Sequence, residues 1–513
     1  MAVDNGGVIG KINTPTTSLA SGVWSLGDQF ESQSSDIWPL AFPLKGVGNS
    51  CFFQDSDNDD LSRSIASTGN NKTYTVSAWV KRVELGQSSP IFGTGDGGTN
   101  NDARMCFFDA SDKIEISYYN SGYTYEVTTT RVFRDLSAWY HLCILFDTTQ
   151  STASDRVKIY VNGVQETVFD TSSYPSENAT FNFGNTSYNH YVNNMGGRNI
   201  RGSHYIAELV YLDGSTADVS NFGATDPVSG IWCPKAISTT ALTFGTNGVY
   251  LDFADSSALG DDESGNGNDY TVNNITSVQQ STDNPVNNYS TMNALLIGSG
   301  VTMAEGNLSV AMNASAQFGA FSSIGVSTGK WYMEMKYTVQ VAGADRMMVG
   351  ISGNPANLRQ GAPIGSSAGY VGGDSESFGY YSDGGNSYNN EAATSYGDSW
   401  TVNDIIGIAL DLDNNKLYFS KNGTWQDSGD PTSGSTGTGA ISITAPSSVT
   451  TGNYFFAVSD TSGVYGGTIV NNFGNPVFSI SSGNSDGNGY GNFEYAVPSG
   501  YYALNTKNLA EFG

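Results

Sequence analysis

Positive charge is scarce in this chain of 513 residues. Lys and Arg number 22 against 49 Asp and Glu, which gives a formal net charge of −27. Nucleic-acid binding needs a basic surface to neutralise phosphates, and anionic membranes attract the same kind of surface. We therefore expect neither partner. A large net charge of one sign instead keeps a protein soluble at high local copy number.

Cysteines and long apolar runs are also few. Four cysteines over this length, without a CxxC pair, do not make a disulfide framework, so we expect them reduced. Cys106 and Cys143 are the one pair worth testing. No run approaches the ~20 apolar residues of a membrane helix, and residues 1–10 lack the basic and apolar regions of a signal peptide. We expect synthesis in a cytoplasm, no secretion signal and no membrane insertion.

Histidine is the rarest of the catalytic residue types. The chain holds only His141, His190 and His204, with neither HxxxH nor HExxH spacing, so no zinc ligand set is visible. A Ser-His-Asp triad stays open at this level, although no GxSxG turn supports one.

Glycine, tyrosine and phenylalanine are abundant, at 62, 29 and 25 residues. Apolar and polar residues alternate from Thr75 to Lys81 and again from Arg156 to Val161, which is the period of a half-buried strand. The second run leads into Asn162-Gly163, a strong hairpin signal because both turn positions need a positive φ. No 11-residue window has helical periodicity, so any helix should be a single turn. The fold class we predict is all-β, with two β-sandwich (jelly-roll) domains.

The chain divides into five parts by composition and alternation. We predict an irregular N-terminal segment (1–48), a first sandwich (49–228), a Gly/Asn/Asp-rich connector with short strands (229–295), a second sandwich (296–480), and a C-terminal extension packed on the second sandwich (481–513).

Both sandwiches resemble known families. Residues 70–225 resemble the laminin-G-like or concanavalin-like jelly rolls through Tyr74–Val80, Trp139–Leu142, Val157–Gly163 and Tyr205–Gly214. Residues 300–476 resemble a SPRY domain, and the most specific signal is the block from Asp404 to Trp425. The first resemblance implies that Trp79 and Trp139 are core residues, and the second implies the same for Trp331.

The order of the pieces resembles structural proteins of marine tailed bacteriophages. That resemblance depends on Gly22-Val23-Trp24-Ser25-Leu26 with Trp38-Pro39, on Gly230–Lys235, on the segment from Gly248 to Tyr270, and on Leu504–Leu509. It implies a virion component such as a tail fibre, a spike or a capsid-surface (decoration) protein. Val23, Trp24, Leu26, Trp38 and Pro39 would then attach the chain to portal, tail or capsid proteins, and we expect a homo-oligomer located in the virion.

Aromatic residues in loops are the candidates for binding a host glycan or receptor. Sugar rings have apolar faces that stack on Tyr and Trp, while neighbouring Asn and Asp bind the hydroxyls; half or more of these rings would also serve simply to cover the sandwich edges. The candidates are Tyr118, Tyr119, Tyr123 and Tyr125 in the first sandwich, and Tyr370, Tyr380, Tyr381, Tyr396 and Trp400 in the second.

An acidic run offers the main candidate metal site, and the Asp261–Asp269 loop and Asp411 with Asp413 are weaker candidates of the same kind. Asp55, Asp57 and Asp59 alternate as an EF-hand loop begins, but Asp60 stands where the loop needs Gly and Ala66 where it needs Glu. Calcium in a looser oxygen cage and a solvated acidic loop are the two alternatives. We expect no other cofactor.

A non-enzymatic, lectin-like adhesion protein is the function that these features favour. Concanavalin-like glucanases carry their carboxylates as Glu-x-Asp-x-Glu on one strand, whereas Glu115, Glu208 and Glu334 each stand alone here. The alternatives are a purely structural virion protein that contacts neighbouring subunits, and a polysaccharide-degrading glycoside hydrolase.

Overall fold

The fold was analysed in a computed structural model of the chain. It describes residues 47–98, 100–226, 230–295, 297, 300–313, 319–341, 343, 345–358, 369–461 and 465–513. Val23, Trp24, Leu26, Trp38 and Pro39, the predicted attachment residues, lie outside the described residues. Within the described part, no helix is long and apolar enough to cross a membrane.

The first half of the described chain is built from strands. They are β1 (Ser50–Phe53), β2 (Asp60–Ser64), β3 (Thr73–Arg82), β4 (Ser89–Gly95), β5 (Asp102–Phe108), β6 (Lys113–Tyr119), β7 (Tyr123–Val132), β8 (Trp139–Asp147), β9 (Val157–Val161), β10 (Val164–Gln165), β11 (Phe169–Ser173), β12 (Asn189–Val192), β13 (His204–Asp213), β14 (Gly223–Thr225), β15 (Trp232–Pro234), β16 (Val249–Leu251), β17 (Thr271–Asn273) and β18 (Gln280–Ser281). Short 3₁₀ turns lie between several of them, at Asp55–Asp57, Ala153–Asp155, Asn182–Gly184, Val219–Asn221 and Ser277–Gln279.

Two antiparallel sheets of eight strands form the first sandwich. Sheet A runs β10-β9-β8-β3-β13-β1-β18, with β16 also paired to β13, and sheet B runs β11-β7-β6-β5-β4-β12-β2-β17. As the alternation predicts, Val76, Ala78 and Val80 of β3 enter the core between the sheets. β16, β17 and β18 come from the predicted connector, so that segment completes both sheets.

The second half of the described chain has the same character. Its strands are β19 (Val301–Ala304), β20 (Ser309–Met312), β21 (Gly319–Phe321), β22 (Lys330–Gln340), β23 (Met347–Ser352), β24 (Ser377–Tyr381), β25 (Asn386–Asn389), β26 (Ala392–Ser395), β27 (Ile405–Asp411), β28 (Lys416–Lys421), β29 (Thr424–Trp425), β30 (Ile441–Ser442), β31 (Phe455–Asp460), β32 (Gly467–Asn472) and β33 (Tyr502–Ala503). Its helices are α1 (Pro355–Leu358) and α2 (Thr506–Phe512), and 3₁₀ turns lie at Gln426–Ser428, Pro431–Thr436 and Pro446–Ser448.

The second sandwich also has two sheets. Sheet C runs β19-β20-β32-β22-β27-β28-β29, with β30 paired to β28 and β33 paired in parallel to β22; sheet D runs β21-β31-β23-β24-β25-β26. Trp331, predicted as core, is fully buried between the sheets. The two domains confirm the predicted all-β class with two sandwiches.

The predicted Asn162-Gly163 hairpin is present, and the Asp404–Trp425 block contains a second Asn-Gly hairpin of the same kind. Asn162 and Gly163 join β9 to β10 with φ values of 49° and 78°, and Asn422 and Gly423 join β28 to β29 with 47° and 79°. Positive φ at both central residues is what a two-residue hairpin requires.

The expectation that any helix is a single turn is wrong at the C-terminus, where α2 has seven residues. The Asn505 side chain accepts a hydrogen bond from the backbone N–H of Asn508 and so caps the helix start. A segment this short escapes an 11-residue periodicity window.

The outer face of sheet A is buried as well as its inner face. Trp79 and Trp139 project from that outer face into a separate apolar cluster with Phe52 and Tyr205. Cys143 lies in a further cluster covered by Phe222 and Phe244. The predicted core positions of Trp79 and Trp139 are thus buried beneath the chain that follows β13, rather than between the sheets. All four cysteines are free.

A buried carboxylate from the connector links the two sandwiches. Asp283 Oδ2 lies 2.7 Å from Lys81 Nζ of β3, and Asp283 Oδ1 accepts a hydrogen bond from Trp139 Nε1 at 3.0 Å. Lys81 also donates to Asn288 Oδ1 at 2.7 Å. Nearby, Tyr289 OH accepts the backbone N–H of Gly491 in the C-terminal extension at 2.9 Å, and the Tyr289 ring packs in a cluster with Tyr332 and Ala409 of sheet C. The short segment 283–289 therefore contacts both sandwiches.

The C-terminal extension is fastened to sheet C by a second buried carboxylate. Glu334 of β22 accepts the backbone N–H groups of Glu494 and Tyr495, at 2.9 and 2.8 Å. Asn472 Nδ2 and Tyr332 OH donate to the same carboxylate at 3.3 and 3.2 Å. Glu334 is fully buried, and burial raises its pKa to about 6.

All three histidines are buried. Trp232 Nε1 donates to His141 Nδ1 at 3.1 Å, so the remaining proton of the neutral ring is on Nε2, which lies 2.9 Å from Ser77 Oγ. Burial lowers the pKa of each histidine to about 3. The rings are neutral parts of the fold, and His141 fixes β15 against sheet A.

Replacing Lys81 by Met should destabilise the protein by about 3–5 kcal/mol, because Asp283 would keep a buried charge without its cation. Urea unfolding followed by tryptophan fluorescence measures the loss. The matched control is Lys158→Met, which removes an exposed pair with Asp155 and should cost under about 1 kcal/mol. Equal losses in the two variants would contradict a structural role for the buried pair.

The buried His141 should make the fold sensitive to acid. Its folded pKa lies below the unfolded value of 6.5, so the unfolded chain takes up a proton first and stability falls as pH drops from 6.5 towards 3. At pH 5 the expected loss is about 2 kcal/mol. His141→Gln keeps an acceptor for Trp232 and a donor for Ser77 but does not titrate. Urea unfolding at pH 7 and pH 5 should therefore show a smaller loss in the variant, and an identical loss would contradict the assignment.

Candidate functional site

The predicted tyrosines of the first sandwich separate onto two faces of sheet B. Tyr118 pairs with Tyr125 and Tyr119 pairs with Tyr123, so β7 carries one extra residue, Thr124, at a β-bulge. The bulge turns Tyr123 to the opposite face from Tyr125. Tyr123 is 48% exposed, whereas Tyr125 is fully buried and packs with Tyr118 in the core.

The outward face of β5, β6 and β7 carries a connected set of side chains, which we call the Arg104 face. Its members are Arg104, Phe107, Glu115, Ser117, Tyr119, Tyr123 and Glu126. They share one side of the sheet because alternate residues of a strand point the same way, while Ile114 and Ile116 point into the core.

Arg104 is the centre of this face. Its Nη1 lies 2.6 Å from Glu115 Oε1 and donates to Tyr123 OH at 2.8 Å. The guanidinium lies over the rings of both Phe107 and Tyr123, each at 5.3 Å. The Tyr119 ring meets Tyr123 edge to face at 5.5 Å. Both aromatic rings at the surface are therefore held in place before a ligand arrives.

The charged groups on the Arg104 face shift one another's pKa values. Burial lowers the pKa of Arg104, but the Glu115 carboxylate and Tyr123 more than offset this, so the pKa is raised and the cation is permanent. Burial and then the Glu115 charge raise the pKa of Glu126. The result is a fixed cation beside two carboxylates and two partly open aromatic rings.

A similar set occurs on the outer side of sheet D, which we call the Arg346 face: Arg346, Tyr370, Tyr381, Asp383, Tyr388 and Tyr465. Arg346 Nη1 donates to Tyr381 OH at 2.6 Å and lies 3.2 Å from Asp383 Oδ2. Tyr388 meets Tyr381 edge to face at 5.6 Å. Each sandwich thus joins an arginine, a tyrosine hydroxyl and a carboxylate beside a second tyrosine ring.

Three other predicted candidates lie inside the second sandwich. Trp400 meets Tyr337 at 5.8 Å, Tyr380 donates to the carbonyl oxygen of Asp398, and Tyr396 OH accepts the backbone N–H of Phe419. Like Tyr125, these rings are buried, and of the three only Tyr396 borders a groove at the surface. The glycan hypothesis is therefore carried by Tyr119, Tyr123 and Tyr370, while Tyr118 only borders the core and Tyr381 is buried with its hydroxyl on Arg346. Sequence reasoning missed Arg104, Arg346 and Tyr388; strand alternation was the available signal for Arg104 and Tyr388, whereas Arg346 lies directly before β23.

The predicted calcium ligands do not converge. Asp55 and Asp57 are exposed on a 3₁₀ turn, and Asp59 is buried with Oδ2 accepting the backbone N–H of Gln54 at 3.1 Å. Burial raises the pKa of Asp59 to about 7. Among the residues that the structure describes, no three His, Cys, Asp or Glu side chains form a group able to hold a metal. Calcium binding stays a prediction.

The positions of His141, Glu334 and Glu115 bear on the two hydrolytic alternatives, a Ser-His-Asp triad and a glycoside hydrolase. A triad would need His141 to accept the Ser77 proton, but the nitrogen that faces Ser77 already carries one because the other accepts from Trp232. Glu334, the lone strand acid, is enclosed by the C-terminal extension. Glu115 accepts from both Arg104 and Ser117, each at 2.6 Å.

Two protein families match separate parts of the chain. The concanavalin A-like lectin/glucanases superfamily (laminin G type) matches residues 55–198, and the SPRY domain matches residues 330–460. Both matches confirm the predicted domain content. No curated protein matches the chain.

One solved structure to which the chain is similar is the crystal structure of the SPRY domain of human HERC1. It has 16% sequence identity and a TM-score of 0.26, and the match covers 35% of this chain and 96% of that chain. A TM-score this low supports no further conclusion. The chain is therefore similar to concanavalin-like and SPRY domains in its two halves.

Proposed function

We propose that this chain is a non-enzymatic adhesion protein that binds carbohydrate on the Arg104 face. The observation that carries the proposal is the exposed Tyr123 ring held by Arg104 beside Glu115 and Glu126. Concanavalin-like and SPRY domains are consistent with a carbohydrate- or protein-binding role, and the geometry of this face favours carbohydrate.

The binding mode follows from the arrangement of the face. The apolar side of a sugar ring packs on Tyr123 and Tyr119, because an aromatic side chain offers a large apolar surface with a polar tip. Glu126, further along the same strand as Tyr123, offers carboxylate oxygens to the sugar hydroxyls, and the buried Thr128 hydroxyl donates to Glu126 at 3.4 Å. The Arg104–Glu115 pair holds the ring in position, so little conformational entropy is lost on binding.

The Arg346 face gives the chain a second surface of the same chemistry. Its Tyr381 is largely buried, and Tyr370 and Tyr388 are half-buried beside it. Two weak sites on one chain, multiplied by several copies, raise the overall affinity by roughly 10²–10⁴ without any stronger single contact. Many copies of a chain with a net charge of −27 remain soluble together.

Binding without hydrolysis is favoured by the state of the carboxylates. A glycosidase needs one carboxyl as acid and another as base or nucleophile across the bond. On the Arg104 face, Glu115 is held by Arg104 and Ser117, which stabilises its charged form but occupies its oxygens. Of the two carboxylates on this face, Glu126 therefore remains available, whereas a glycosidase needs two.

A place in a phage particle is the second part of the proposal. It is supported by the resemblance of the chain ends and junctions to structural proteins of marine tailed phages. Residues 1–48 would attach the chain to portal, tail or capsid proteins, and the two sandwiches would project towards the host. A purely structural role between virion subunits is the alternative.

Carbohydrate binding should depend on the Tyr123 ring. On an array of bacterial and algal envelope glycans, with and without calcium, the intact protein should bind a defined subset, and Tyr123→Ala should weaken that binding by tenfold or more, or about 1.4 kcal/mol. Val164→Ala, which truncates an exposed side chain on sheet A away from this face, is the control and should bind normally.

Two outcomes would contradict this proposal. Silence of the intact protein on the array, in both conditions, would remove carbohydrate recognition. Release of reducing sugar from a bound polysaccharide, abolished by Glu126→Gln, would show a hydrolase instead.

The N-terminal segment should decide incorporation into particles. In virions of the phage that encodes the chain, deletion of residues 1–48 should abolish incorporation, whereas Tyr123→Ala should leave copy number unchanged. Quantitative immunoblotting of purified particles measures both, and cryo-electron microscopy locates the chain. Normal copy number after the deletion would contradict the anchoring role, and a map with both sandwiches buried between subunits would favour the structural alternative.

A further inference from the structure

Among the residues that the structure describes, one edge of the second sandwich is open. β26 is the last strand of sheet D, and all four of its residues, Ala392 to Ser395, are exposed. Natural edge strands are usually protected by Lys, Pro or a bulge. β26 has the sequence Ala-Ala-Thr-Ser and pairs with β25 in regular register, so it carries none of these protections.

The hairpin that forms this edge fixes which backbone groups point outwards. Asn390 and Glu391 form its two-residue turn, with φ values of 51° and 63°. In such a hairpin the pair next to the turn, Asn389 and Ala392, is hydrogen-bonded, and bonded pairs alternate along the strands. The N–H and C=O groups of Ala393 and Ser395 therefore face away from β25 and towards solvent.

A groove of about 330 Å³ runs beside this edge. Its far wall is Ala440, Ile441 and Ser442, at the edge of sheet C, and its floor includes Phe378 and Tyr396. On the β26 side, the small residues Ala392, Thr394 and Ser395 line the groove. The two sheets therefore separate here and leave a space with an aromatic floor and a mixed polar and apolar lining beside the outward backbone groups of β26.

We propose that β26 and this groove bind an extended segment of a partner protein by adding a strand to sheet D. The Ala393 and Ser395 backbone groups would pair with the incoming strand. Every second side chain of that strand would enter the groove against Phe378, Tyr396 and Ile441, so the segment alternates apolar and polar residues. This surface borders the Arg346 face at Tyr388 but binds through the backbone of β26, so it goes beyond the proposed glycan binding.

Charge favours a partner protein over a second copy of this chain. Asp427 is the charged residue that lines the groove, and Glu391 lies in the adjoining turn. Lys416 at the rim donates its Nζ to Ser442 Oγ at 2.9 Å. A second copy paired at this edge would bring its own Asp427 and Glu391 there, so that like charges would meet. The segment that fits is neutral or basic.

A displayed library of random 12-residue peptides, selected on the full-length protein, tests this proposal. Ala393→Pro removes one outward N–H and leaves the β25 pairing intact, since proline is tolerated where the N–H faces solvent. Ala393→Ser keeps the N–H and is the matched control. We expect enriched peptides with alternating apolar residues that bind wild type and Ala393→Ser equally, and Ala393→Pro at least tenfold more weakly.

The backbone of a selected peptide supplies a second measurement. N-methylation at successive residues should abolish binding at every second position, since a paired strand turns alternate N–H groups towards β26. Thermal melting confirms that both variants are folded. No enrichment, equal binding to Ala393→Pro, or N-methylation effects without a period of two would overturn the proposal. Dimerisation that depends on concentration and is lost in Ala393→Pro would assign the edge to a second copy of the chain instead. Glycan binding in the groove that Ala393→Pro does not weaken would also overturn the proposal.

Discussion

The buried carboxylate of Asp283 is the interaction on which the arrangement of the molecule depends. It takes its counter-ion from Lys81 and a hydrogen bond from Trp139, both on the outer face of sheet A. An ion pair without solvent gives little net stability, since its Coulomb energy mainly offsets desolvation. It does exclude other arrangements, because any shift of residues 283–289 would leave a charge unpaired in an apolar setting. The same segment contacts the second sandwich through Tyr289, so specificity at one carboxylate orients both domains.

This constraint explains why the outer face of sheet A is apolar. A sheet with one face in water would alternate strictly, yet β3 and β13 are buried along almost their whole length. Trp79, Trp139 and Tyr205 on the outer face are covered by the chain that follows β13. A second carboxylate, Glu334, plays the corresponding part in sheet C by binding the backbone of the C-terminal extension. In both sandwiches, an irregular segment therefore covers one sheet and is held there by a buried carboxylate, Asp283 in the first and Glu334 in the second.

Local rules predicted the fold well and the site only in part. Period-two alternation and the Asn-Gly turns at 162–163 and 422–423 depend on neighbouring residues alone, and both are present. Which tyrosines reach the surface depends on non-local pairing. Tyr123 and Tyr125 have the same spacing as two residues on one face, and only the bulge at Thr124 separates them. Tyr380, Tyr396 and Trp400 follow glycine-rich sequence but fill the space between sheets C and D, which no local pattern reveals.

The bulge in β7 joins stability to recognition. One extra residue leaves Tyr125 in the core against Phe146 and Phe181, and it turns Tyr123 outwards onto Arg104. A regular strand would place both rings on one face, which would either overfill the core or expose two apolar rings. With the bulge, the exposed ring is supported by a cation that is itself paired with Glu115, so its position is set by the sheet rather than by a flexible loop. Because the ring is already held in place, little conformational entropy is lost when a ligand binds. Every copy then presents the same weak site, which is what adhesion through many copies requires.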